Sequence, residues 1–404
     1  MTDINSPQKT TISDWLERSP LAVSLVTLLF VLLVVGLRWN SGGRDWTYFI
    51  VAGERLVDSD ETPVPILVTS EDGYDGVYFA RLAFDPLTSV PEDFGIKFNN
   101  SGAYRQQRIL YPFLVWCLSG GEPGWVPFWL LAVNVLSITA ASLALSRIAI
   151  NAGQSAYWGL AAGLASGMIL AMSRDLAEPL CIALLSWALL SCQTRRYVAC
   201  ACFLVLAMFT REPSLITSAS LGMVVVGQLV RGRERSWMLI LVPLAPLPFF
   251  IAWQLYLKQN WGLLSAESKG FLFEPPFGGM IEAARLNWPE RLGSAERAGL
   301  LMLGWLIWVG IETGAAIRSL WKSSQEISLT LWWSLVAWVN WTIFGSLLSE
   351  AIWIHYYGYM RISLEWALHA LVIMLLSGRL PSRRLCAFTI FLALYTLRMV
   401  VKSL

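Results

Sequence analysis

The chain has 404 residues, 56% of them hydrophobic and only 14% charged, with a formal net charge of +2. About a quarter of the residues in a soluble domain are charged, so this composition excludes an ordinary soluble enzyme. The near-zero net charge gives no ground for a nucleic-acid partner.

Residues 1–20 are polar and read as a cytoplasmic N-terminal arm. The first apolar run, 21–37, has no small-residue cleavage site after it, so it reads as a retained span and not a signal peptide. Residues 38–108 form a long polar loop. The segment 108–118 is apolar but too short to cross, and Pro112 is expected to bend it into an interfacial or re-entrant helix. Further spans are expected at 125–145, 157–172, 176–191, 197–209, 213–230, 237–257, 298–316, 327–348, 362–376 and 385–401. Runs of ~20 apolar residues recurring this way define an all-α, polytopic transmembrane helical bundle of about eleven spans. A second polar loop, 258–297, is expected to carry an interfacial helix near 281–286. Residues 21–404 therefore form a single transmembrane domain.

Basic residues sort to one side. Arg147, Arg195, Arg196, Arg231, Arg233, Arg235, Arg318, Lys322, Arg379, Arg383 and Arg384 fall in alternate short loops, which the positive-inside rule places in the cytoplasm. The two long loops then lie outside. Cys117, Cys181, Cys192, Cys200, Cys202 and Cys386 sit in or beside apolar runs with no ligand spacing to either histidine, so they read as small apolar filler.

The outer side carries acids and bases close to span ends. Two acids flank a Gly-Tyr pair in Asp72-Gly73-Tyr74-Asp75-Gly76, followed by Arg81 and Asp85. Tyr104-Arg105-Gln106-Gln107-Arg108 precedes the short apolar segment. Two tight links follow, Ser173-Arg174-Asp175-Leu176-Ala177-Glu178-Pro179 and Thr210-Arg211-Glu212-Pro213. Asp175 and Glu178 are three apart and are expected to share a helix face. A charge deep in a bilayer costs at least ~2.5–3.5 kcal/mol, and arginine beside an acid reduces that by pairing. Pairing alone does not explain why all four stretches choose one side. A shared polar cleft does. Tryptophans near span ends read as interfacial belts, and Trp261 and Trp288 in the second outer loop as candidates for stacking against a ligand.

The set resembles the C-type (GT-C) polytopic membrane glycosyltransferases, in particular mannosyltransferase-like members and a bacterial group that forms cell-surface glycopolymers. The residues carrying the likeness are Asp75-Gly76-Val77-Tyr78-Phe79, Tyr104-Arg105, Arg108-Ile109-Leu110-Tyr111-Pro112, Arg174-Asp175 with Glu178-Pro179, Arg211-Glu212, and Tyr359-Met360-Arg361. Many members carry two adjacent acids in the first loop, whereas Gly73 and Tyr74 separate Asp72 from Asp75 here. The resemblance implies a bacterial cytoplasmic (inner) membrane with the active site in the 38–108 extracytoplasmic loop. It implies a polyprenyl-phosphate sugar donor, a glycan or lipid acceptor among the membrane lipids, and an inverting transfer. Asp75 would be the general base. Tyr74, Tyr104, Arg105, Arg108, Arg174, Asp175, Glu178, Arg211, Glu212, Tyr359 and Arg361 would bind substrate or orient one another. The carboxylates leave room for a divalent cation, but no spacing demands one and no metal ligand is assigned.

The alternative from another class is a secondary transporter or lipid-linked glycan flippase. Glu365 and His369 lie four apart inside a span, where an acid and a histidine could relay protons. The structural reading of the same residues is a Glu365–Arg361 pair and a His369 bonded to a neighbouring helix. A non-catalytic envelope scaffold is the third reading.

Overall fold

In the computed structural model the described residues are 17–402 apart from 71, 99–100, 233–237, 268–272, 287–292 and 324–325. The N-terminal arm and Trp288 therefore fall outside them, wholly or in large part. Among the described residues seven helices are long and apolar enough to cross a membrane: Pro20–Ser41, Pro123–Asn151, Glu212–Val230, Met238–Trp261, Arg297–Lys322, Tyr356–Leu376 and Arg383–Lys402. Leu110–Ser119, Glu178–Gln193 and Tyr197–Thr210 are apolar but shorter. This is the build of an all-helical integral membrane protein.

Local chemistry sets the ends of these helices. Helix α1, Pro20–Ser41, starts where the Ser19 hydroxyl accepts from the Ala22 amide at 3.3 Å and proline occupies the first turn, a position that needs no amide hydrogen. Its far end is tied to the last helix of the chain by Arg38, which donates to the Val400 carbonyl at 2.7 Å.

The long first loop is not an open polar excursion. It carries the short strands Ala52–Gly53 (β1) and Val68–Ser70 (β2), which pair in parallel, and helix α2, Gly76–Phe84. Strands Glu92–Asp93 (β3) and Ile96–Lys97 (β4) form an antiparallel ribbon. All nine residues of α2 are buried. They share a core with Ile50, Ile96, Phe98 and the following helices. Burying each large apolar side chain there contributes roughly 1.5–3 kcal/mol.

A five-residue helix, Gly102–Gln106 (α3), leads into α4, Leu110–Ser119. Pro112 does not bend α4. It lies in the first turn, where the amides are unpaired in any case. Gly120 then ends the helix in a left-handed conformation at φ +64°. Trp261 reaches the same region, but as an anchor: its indole nitrogen donates to Gln106 Oε1 at 2.6 Å and its ring lies against Phe98.

Helix α5, Val126–Asn151, is the central staff of the bundle, packing against α1 and α4. The expected span at 157–172 is broken. It consists of α6, Leu160–Leu164, and α7, Ser166–Met172, parted at Ala165, whose ψ of 115° is extended. Helix α8, Glu178–Gln193, packs between α5 and α9, Tyr197–Thr210. Helix α10, Leu215–Val230, follows. The expected 237–257 span runs as Met238–Trp261, in two abutting pieces, α11, Met238–Leu244, and α12, Pro246–Trp261, on either side of Ala245, whose backbone stays helical at φ −53° and ψ −40°. The interfacial helix expected at 281–286 begins earlier, as α13, Gly278–Leu286. Helices α14, Ser294–Lys322, α15, Leu329–Ser346, α16, Glu350–Trp353, α17, Tyr356–Leu376, and α18, Arg383–Lys402, complete the chain.

Inside a bilayer, helices associate through close packing and polar contacts, without a hydrophobic drive. A Cβ on Gly167 of α7 would lie 2.3 Å from the Met360 carbonyl of α17. Only glycine lets the two backbones approach so closely, and this contact brings the start of α7 to the residue beside Arg361.

Candidate functional site

Asp75 stands immediately before α2. The backbone enters it through Gly73 at φ +68° and leaves through Gly76, where a Cβ would meet the Arg174 carbonyl at 2.5 Å and the Ile50 carbonyl at 2.6 Å. The Asp75 side chain does not cap its own helix. It turns to two arginines. Arg105 Nη1 donates to Oδ1 at 2.5 Å, and Arg361 Nη1 and Nη2 both donate to Oδ2 at 3.3 Å.

Arg361 is shared. Its Nε donates to Glu178 Oε1 at 2.7 Å and its Nη1 to the Tyr74 hydroxyl at 2.7 Å. Glu178 also faces Arg211 Nε at 3.7 Å, and Arg211 Nη1 donates to Glu365 Oε1 at 2.5 Å. The groups thus form an alternating row: Arg105, Asp75, Arg361, Glu178, Arg211, Glu365. Beside it, Arg108 grips both oxygens of Glu212 at 2.9 and 2.8 Å and donates to the Tyr104 hydroxyl at 3.1 Å. Paired bonds of this kind are the strongest form of arginine–carboxylate contact.

The row is graded by exposure. Asp75 keeps 23% of its side-chain accessibility, whereas Glu178 keeps 1% and Glu365 none. Burial acting alone would raise the Asp75 carboxyl, but the guanidinium groups of Arg105, Arg361 and Arg108 outweigh it and hold the acid well below the ordinary carboxylate range. Burial raises the Tyr74 hydroxyl against the opposing pull of Arg361. For Arg108 burial works against the charge, yet Glu212 more than reverses it and the guanidinium is held more firmly than usual.

Of the residues expected from sequence, Tyr74, Asp75, Tyr104, Arg105, Arg108, Glu178, Arg211, Glu212 and Arg361 come together here. Arg174 joins through aromatic faces, 4.5 Å from the Tyr74 ring centroid and 4.8 Å from that of Tyr357. Two expected members do not join. Asp175 does not share a face with Glu178. It sits at φ +48° in the turn after α7, fully buried, with no hydrogen-bond partner for either oxygen. Burial raises its carboxyl well above the usual value, with Arg38 opposing. Tyr359 stacks on Trp353 at 5.6 Å and abuts Gly299 of α14, away from the row. Asp72, the second acid of the loop, pairs at the surface with Arg55 at 2.8 Å. Arg81 turns inward instead, to Thr88 and the Val90 carbonyl.

Pairing between sequence neighbours also fails. Arg211 meets Glu365 and Glu178, and Glu212 meets Arg108. Adjacent residues at a helix end point in different directions, so partners come from other segments. The expected Glu365–Arg361 pair is replaced by Glu365–Arg211, because Arg361 is taken up by Asp75, Glu178 and Tyr74. His369 faces Thr217 Oγ1 at 3.2 Å.

Three participants were missed from sequence. Tyr78 lies under Arg105 at 4.0 Å. Tyr357 stands four residues before Arg361, a spacing that puts both on one helix face and so could have been read. Glu365, which from sequence alone reads as part of the transport alternative, closes the row through Arg211. Among the described residues no three His, Cys, Asp or Glu side chains are grouped to hold a metal ion. The carboxylates face guanidinium groups instead. No family model matches the chain, and no curated protein matches it.

Proposed function

We propose that the protein is a membrane glycosyltransferase that moves a sugar from a polyprenyl-phosphate donor to an extracytoplasmic glycan or lipid acceptor, with inversion and with Asp75 as general base. The observation that carries this reading is the seat of Asp75: an ionised acid at the exposed end of an arginine row, held by Arg105 and Arg361. A general base needs an acid within reach of the acceptor hydroxyl, and a phosphate leaving group needs preorganised cations beside it. Arginine suits phosphate because its planar fork offers paired donors.

An apolar groove of about 320 Å³ also supports a lipid donor. It is lined by Leu164, Trp305, Leu364, Leu368 and Ile390. A smaller hollow continues it to Met360, the residue before Arg361. A lipid tail in this groove would leave its head group beside the arginines.

Both oxygens of Asp75 accept from guanidinium groups, which makes it a weak base as it stands. The reading therefore requires the acceptor hydroxyl to replace one of those contacts when it attacks the anomeric carbon. Its proton then passes to Asp75, while the sugar–oxygen bond to phosphate breaks and the phosphate leaves with the electron pair. The transport alternative has less in its favour, because Glu365 is tied to Arg211 and His369 to Thr217.

The test uses membranes containing the protein and a labelled polyprenyl-phosphate sugar. Asp75→Asn should insert normally and lose transfer by roughly 10²–10⁴-fold, the usual worth of a general base. Undiminished transfer by that variant would remove Asp75 from the mechanism.

A further inference from the structure

Five guanidinium groups, Arg105, Arg108, Arg174, Arg211 and Arg361, meet at this end of the bundle. Four carboxylates, Asp75, Glu178, Glu212 and Glu365, are paired with four of them. Arg174 is the remaining one. Among the described residues it has no carboxylate partner. Ring faces hold it, those of Tyr74 and Tyr357, and these two rings meet edge to face at 5.2 Å. Asp175, its neighbour in sequence, does not neutralise it, since that side chain is buried with neither oxygen bonded.

Tyr74 connects Arg174 to the row. Its ring carries Arg174, and its hydroxyl accepts from Arg361, which holds Asp75. Arg174 is half-buried, so its charge is both accessible and only partly hydrated. A partly desolvated cation without an anion is costly, and a ligand that supplies the anion relieves that cost.

We propose that Arg174, walled by Tyr74 and Tyr357, is the anion-binding residue of this site and takes a phosphate group of single negative charge, as a lipid phosphodiester carries. A diphosphate would bring at least one charge too many for the single guanidinium of this cluster that has no carboxylate partner among the described residues. This inference rests on the glycosyltransferase reading, because it is that reading's donor which supplies the phosphodiester.

The experiment measures affinity with the full chain in nanodiscs. The probes are a polyprenyl methyl phosphodiester, the matching polyprenyl diphosphate, neutral polyprenol and inorganic phosphate. The wild type should bind the phosphodiester at least tenfold more tightly than polyprenol or diphosphate. Arg174→Gln should bind it no better than polyprenol, while Arg55→Gln, at the surface pair, should match the wild type. Arg174→Gln with wild-type affinity overturns the inference, as does a wild-type preference for diphosphate. Inorganic phosphate competing as well as the lipid overturns the lipid source. Phenylglyoxal labelling of the unaltered protein tests the same point without a variant. The phosphodiester should protect Arg174, and polyprenol should not; equal labelling with either ligand overturns the inference. Sugar transfer by the wild type together with unchanged Arg174→Gln affinity removes Arg174 alone. Absence of transfer by the wild type removes the transferase reading itself.

Discussion

Arg361 meets Asp75 across 286 residues of chain, donating from both terminal nitrogens to one carboxylate oxygen at 3.3 Å. The same guanidinium holds Glu178 at 2.6 Å. One side chain of α17 therefore ties the loop before α2 to the start of α8. Asp75 has its position only because three distant segments converge on it.

Removing Arg211 should be worse for folding than for binding. Its guanidinium lies between Glu178 and Glu365, both almost wholly buried. Breaking a buried ion pair by deleting one partner costs about 3–5 kcal/mol. Arg211→Glu would add a third acid to two. We expect a sharp loss of monodisperse protein and a lower Tm in detergent. A variant that purifies with wild-type yield and Tm would contradict the burial of this pair.

The two surface-facing ion pairs should differ in worth. Arg108 holds Glu212 through two bonds in a half-enclosed setting. Arg55 and Asp72 pair with most of their side chains in solvent. A double-mutant cycle on Arg108 and Glu212, each changed to Gln, should give a coupling of roughly 0.5–3 kcal/mol. The cycle on Arg55 and Asp72 should give about 0–1 kcal/mol. Equal couplings would show that the geometry at Glu212 carries no special weight.

Gly76→Ala should disturb the site more than the fold. Its Cβ would lie within 2.6 Å of two backbone carbonyls, those of Arg174 and Ile50. Neither can swing away as a flexible side chain could. Overpacking of this kind costs roughly 1–3 kcal/mol. Relief requires Asp75 and the Arg174 turn to move apart, and misplacing a reactive group by about 1 Å can cost ~10²-fold in rate. Transfer falling no further than the folded fraction would show that the spacing of these two segments is unimportant.

Two acids should give opposite pH signatures. Asp75 is held below its ordinary range, so the folded state binds its proton less readily than the unfolded one. Its contribution to stability is present above the unfolded value and is lost as pH falls through the depressed folded value. Asp175 is raised by burial, with Arg38 opposing. Its proton is held more tightly in the folded state, so its contribution is present below the unfolded value and is lost as pH rises towards the folded one. Asp175→Asn removes that loss and keeps a residue that tolerates positive φ. The variant should melt higher than the wild type at pH 7, with the gap closing towards pH 4. A lower Tm at pH 7 would mean that Asp175 is ionised and needed as such.

Much of the architecture was legible because it depends on local properties. Span length and apolarity are set within ~20 residues, so the all-helical class and the long first loop follow from the sequence alone, while against about eleven expected spans seven helices of crossing length stand among the described residues. The arginine- and acid-bearing stretches near helix ends were visible for the same reason. The break between α6 and α7 was not foreseen, since a mean over a window averages away the extended step at Ala165.

Partnership was beyond the sequence. Arg174 and Asp175 are neighbours, yet one faces two tyrosine rings and the other is buried behind the turn. The resemblance points to Tyr359, but that residue lies two positions along α17 from Tyr357 and faces Trp353 instead of the row. Composition and periodicity determined which segments become helices and which charges lie near their ends. Only the packed bundle decided which acid meets which arginine, because a side chain's direction depends on the helix it leaves and its partner on the helix that packs opposite.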